Sequence, residues 1–89
     1  MPQACLTIVN PLGLHARAAS KFVNLAKTFE SDVRLGKGST EADGKSIMSV
    51  MLLAAPVGSD VTLTVCGPDE DKAFTALQEL VNNGFGELG

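Results

Sequence analysis

The sequence predicts an α+β fold: an open-faced two-layer β-sandwich, βαββαβα, with a four-stranded antiparallel sheet and three helices on one face. Three observations lead there. Hydrophobic spacing switches along the chain between a period of two and a helical period. The alternating runs set threonines opposite their apolar residues, which suits a sheet with one wet face. The chain has 89 residues, one domain over 1–89, and three helices cover only one side of a sheet this small.

Residues 4–9, ACLTIV, place Leu6 and Ile8 on one side and Cys5, Thr7 and Val9 on the other, a half-buried strand. Asn10-Pro11-Leu12-Gly13 is turn chemistry. From Ala16 the period changes. Ala19, Phe22, Val23, Ala26 and Phe29 share one helical face, predicting a helix over 16–28. Val33-Arg34-Leu35 and Thr40-Glu41-Ala42 flank Gly36-Lys37-Gly38 and read as a hairpin. Residues 46–55, SIMSVMLLAA, read as a short helix stopped by Pro56. Residues 61–65, VTLTV, alternate throughout and form the clearest strand. Gly67-Pro68 with the acids 69–71 opens the last helix, the acids being read simply as helix-start charges. Phe74, Leu77, Leu80 and Val81 make its apolar stripe, and Gly84 is a natural left-handed stop. The open sheet face should show Thr7, Thr62 and Thr64.

Composition excludes several function classes. The formal net charge is −3, Trp and Tyr are absent, and Phe numbers four. A nucleic-acid binder needs clustered cations and stacking rings. No apolar run approaches the ~20 residues of a membrane span. The start, MPQAC, does not look like a signal peptide, so a soluble cytoplasmic protein is expected. Cys5 and Cys66 then read as free thiols.

The informative stretch is NPLGLHARAAS, residues 10–20. It sets the chain's only histidine, His15, where a loop becomes a helix. No Ser, Thr, Asp or Asn stands at 14, 15 or 16 to cap that helix, so its first amides, at Ala16, Arg17 and Ala18, are expected to remain available to an outside anion. Arg17 adds a guanidinium fork suited to phosphate. An imidazole with one unprotonated nitrogen can attack phosphorus. Residue types alone leave two readings of His15, a solvated surface histidine or a phosphoryl acceptor. A metal site is disfavoured, because residues 5–29 offer no carboxylate and no second histidine exists.

N-P-L-G-L-H-A-R at 10–17 resembles the active-site signature of the HPr family, the histidine phosphocarriers of the bacterial phosphoenolpyruvate-dependent phosphotransferase system. D-G-K-S-I-M-S-V-M-L-L-A-A at 43–55 resembles that family's second signature, and the element order agrees. The resemblance implies a sheet order of 1-4-2-3 and a stoichiometric carrier rather than an enzyme. It implies that His15 takes a phosphoryl group on its δ1 nitrogen from phospho-enzyme I and passes it to a IIA-type acceptor. No cofactor or metal is implied, and a monomer suits such a carrier. One departure stands at position 18, where the family usually has proline and this chain has Ala18. Asn24 and Ser49 replace basic residues of some members, leaving Lys21, Lys27 and Lys45 as candidate substitutes toward acidic partners.

Ser46 is a good helix N-cap, worth about 1 kcal/mol over alanine. The resemblance adds a second role, as a target of HPr kinase/phosphorylase, where new negative charge could repel acidic partners. Ile47, Met48 and Met51 are core-type residues on a helix with more apolar sides than a two-layer sandwich buries. They are expected to form an exposed docking patch near His15. Two other functions remain compatible with the residues: a mainly regulatory protein read out through Ser46, and an anion-binding domain without covalent chemistry.

Overall fold

The computed structural model describes residues 2–86. Its elements are β1 (Gln3–Thr7), α1 (Ala16–Ala26), β2 (Asp32–Lys37), β3 (Thr40–Asp43), α2 (Ile47–Met51), β4 (Asp60–Cys66) and α3 (Glu70–Asn82), followed by a 3₁₀ turn, Gly84–Gly86. The sheet order is β1-β4-β2-β3, with every neighbouring pair antiparallel. Both the expected element order and the order implied by the family resemblance are therefore present.

Strand alternation decides which face is covered. Leu6 of β1 lies opposite Val61, Leu35 opposite Leu63 and Val33 opposite Val65, and all six side chains are buried. They close against Ala19, Phe22 and Val23 of α1, Val50 of α2, and Leu77 and Val81 of α3. Burying one side chain of this size contributes about 1.5–3 kcal/mol, so this single apolar layer is the fold's main support. On the opposite face Cys5 and Thr7 are exposed, and Thr62 and Thr64 half-exposed. Cys5 and Cys66 are free thiols there.

Element ends differ from the sequence reading where tertiary contacts intervene. The first strand, read as 4–9, pairs regularly only over Gln3–Thr7. Beyond it, Ile8 pairs with the loop ahead of β4: its N–H donates to Ser59 O and its carbonyl accepts from Gly58. The first helix, read as 16–28, stops at Ala26. Thr28 folds back, its N–H and its hydroxyl both donating to Leu25 O. The middle helix, read as 46–55, is only Ile47–Met51. Ala54 takes a left-handed φ of 49°, and Ala55 O accepts from Leu14 N–H instead of continuing the helix. The 3₁₀ turn is an addition to the sequence reading. It buries Phe85, whose carbonyl accepts from Lys21 Nζ at 2.8 Å.

Candidate phosphoryl-acceptor site

The segment before α1 is held before any ligand arrives. Gly13 N–H donates to Asn10 O at 3.0 Å, and the buried Asn10 side chain donates to Gly13 O at 2.7 Å. Gly13 has φ +68°, and a Cβ there would stand 2.7 Å from Ala55 O and 2.9 Å from Pro56 Cα. Only glycine fits so close to that backbone in this conformation. The next N–H, of Leu14, donates to Ala55 O at 2.8 Å, with the Leu14 side chain buried. Turn and α2 exit are thus locked together, and His15 emerges at a fixed point.

His15 is the N-cap of α1, extended at φ −86° and ψ −178°. Its carbonyl accepts the first helical bond, from Ala19 N–H at 2.8 Å, and its Nδ1 accepts from Arg17 N–H at 3.2 Å. This corrects one expectation. The helix start is not bare at Arg17: the imidazole is itself the capping side chain. An accepting Nδ1 carries a lone pair rather than a proton, so the geometry selects the tautomer with its hydrogen on Nε2. The ring is half-exposed.

Beside that cap, the amides of Ala16 and Ala18 make no hydrogen bond among the described residues. Nor does the exposed Arg17 guanidinium. The first turn of α1 itself carries no acid to offset the positive end of the helix. Concavities occur on the open sheet face, around Arg34 and Glu41, and along α3; neither His15 nor Arg17 lines them. Among the described residues no group of three or more His, Cys, Asp or Glu is placed to hold a metal.

Ser46 is the N-cap of α2, half-buried, with its hydroxyl accepting from Ser49 N–H at 3.4 Å. Ile47, Met48 and Met51 are exposed, whereas Val50 faces the core. Sequence reasoning missed Leu12 and Leu52, which are 74% and 75% exposed, more than Met48 at 71%. A signal for Leu12 was available: a large apolar residue inside a polar turn has nothing local to bury against. Two of the lysines read as possible partner contacts bond within the fold, Lys21 to Phe85 O and Lys45 to Phe29 O.

Residues 2–83 match the sequence family described as "PTS HPr component phosphorylation site". The chain belongs to the HPr family. It is 52% identical to the phosphocarrier protein HPr of Cupriavidus necator over 98% of both chains, and 51% identical to that of Pseudomonas aeruginosa, again over 98% of both. Among solved structures, HPr of Thermoanaerobacter tengcongensis superposes with a TM-score of 0.95 at 38% identity, covering all of both chains. HPr of Bacillus anthracis gives 0.86 at 36% identity, covering 90% of this chain and 95% of that one. The HPr assignment makes the general role that of a phosphocarrier rather than an enzyme. No helix among the described residues is long and apolar enough to cross a membrane.

Proposed function

We propose that His15 Nδ1 accepts a phosphoryl group from phospho-enzyme I and delivers it to a IIA-type acceptor. The observation that carries this reading is the half-exposed imidazole at the N-cap of α1, with Nδ1 turned to the Arg17 amide. The Nδ1 lone pair attacks phosphorus in line, the phosphorus bond to the donor breaks, and its electron pair stays on the donor. The Arg17 N–H then passes from the ring nitrogen to a phosphoryl oxygen. At 3.2 Å the existing bond is at the long limit, so releasing it costs little. The amides of Ala16, Arg17 and Ala18 and the Arg17 guanidinium meet the incoming charge.

Large donors and acceptors must reach the ring, and His15 lines none of the concavities around Arg34 and Glu41 or along α3. The apolar residues Ile47, Met48 and Met51, extended by Leu12 and Leu52, form the docking face for these partners. Ser46 caps α2 beside that face. Phosphorylation of its hydroxyl by HPr kinase/phosphorylase adds negative charge there and weakens docking to acidic partners. The carrier works as a cytoplasmic monomer.

Incubation with enzyme I and phosphoenolpyruvate tests the reading. The expected product is an acid-labile, alkali-stable adduct that His15→Ala abolishes. No adduct, or one that survives His15→Ala, overturns the proposal.

A further inference from the structure

We propose that the Ala18 amide is a second main-chain donor to the phosphoryl group on His15, beside that of Arg17, and that it governs how firmly this carrier holds its cargo. The inference rests on the reading of His15 as the acceptor. A capping side chain reaches the amides two and three residues beyond the cap, here those of Arg17 and Ala18. A single ring nitrogen satisfies only one of them, and in the unmodified protein it takes Arg17. Among the described residues Ala18 N–H makes no hydrogen bond, because the helical ladder begins with Ala19.

A phosphoryl group changes that count. It brings three acceptor oxygens to the position where one lone pair stood. One oxygen takes over the Arg17 amide and a second is available to Ala18. The Ala18 donor is also aimed in advance. Its methyl is fully buried in the core, so packing fixes the peptide plane that carries the N–H. Hydrogen bonds to a charged acceptor are among the stronger ones, and this one forms only in the phosphorylated state. It therefore stabilises phosphohistidine relative to the free ring and moves the phosphoryl equilibrium toward this carrier.

The test uses the full-length, ¹⁵N-labelled protein phosphorylated by enzyme I and phosphoenolpyruvate. The Ala18 amide proton is expected to move downfield on phosphorylation, and its exchange with solvent to slow. Ala18→Pro deletes the donor and should lower the equilibrium constant for phosphorylation about five- to tenfold. Ala18→Gly retains the N–H but loses the buried methyl that aims it, and should fall between the parent and the Pro variant. An adduct on His15 with an unmoved Ala18 amide, or a Pro variant matching the parent, overturns this inference alone. Failure to form any adduct overturns the carrier reading as well. Should the Pro variant not fold, the amide shift in the parent protein still decides.

Discussion

Asp69 shows how one carboxylate can serve a neighbour rather than its own helix. The acids at 69–71 read as charges suited to the start of α3, and Asp69 is indeed that helix's N-cap residue, yet it makes no side-chain capping bond. Its carboxylate instead accepts from the Ser31 hydroxyl and from the N–H groups of Glu30 and Ser31, tying the turn ahead of β2 to the start of α3. Gly67 completes the joint, since a Cβ there would lie 2.6 Å from Ser31 Cα. The Ser31 hydroxyl, then the Glu30 amide, hold the Asp69 carboxyl below its ordinary value of 3.8. A lowered folded value means stability that is complete above the unfolded value and lost as pH falls through the lowered one. Asp69→Asn should therefore melt below the parent at pH 7, and the two should converge as the pH drops below about 3.8. Melting curves recorded at stepped pH check this; parallel profiles would show that Asp69 contributes nothing by charge.

At the scale of elements, α2 is short for a backbone reason. Its apolar run continues to Ala55, but Ala54 leaves the helical region at φ 49°. That exit turns Ala55 O toward Leu14 N–H and exposes the carbonyls of Leu53 and Ala54 to Lys37 Nζ, at 3.5 and 3.3 Å. A left-handed alanine costs roughly 1–2 kcal/mol, which glycine avoids in return for extra chain entropy in the unfolded state. Ala54→Gly should thus raise stability in urea titrations by up to about 1 kcal/mol. A loss of stability would mean that the exposed methyl makes contacts that outweigh the strain.

Over the whole molecule, apolar residues divide between two jobs. Phe22 is completely buried between helices and sheet, whereas Met48 projects into solvent. Phe22→Ala should lose about 3–5 kcal/mol of stability, seen as a lowered denaturation midpoint. Met48→Ala should leave the midpoint nearly unchanged and slow phosphoryl transfer from enzyme I. A Met48 variant with parental transfer rates would remove this residue from the proposed docking face. Such a division also explains why a small domain tolerates so much exposed apolar surface on one side: its core lies on the other side of α2, behind Val50.

Element type and order were legible because each rests on local periodicity. Alternation in β4 and the helical stripe of α1 depend only on which residues must face one apolar layer. The candidate site was legible too, since His15 and Arg17 flank a loop-to-helix junction marked by Pro11 and Gly13. What the local pattern did not contain was the choice of hydrogen-bond partner. Whether the Arg17 amide meets solvent or Nδ1, whether Asp69 caps α3 or the Ser31 turn, and whether residues 52–55 stay helical depend on groups brought close by the fold. By itself the sequence determined which faces are apolar and where the candidate His15 and Arg17 stand, because both are short-range properties of the chain. Only the tertiary structure decided which donor meets which acceptor, because hydrogen bonds are directional and their partners are set by packing between segments distant in the chain.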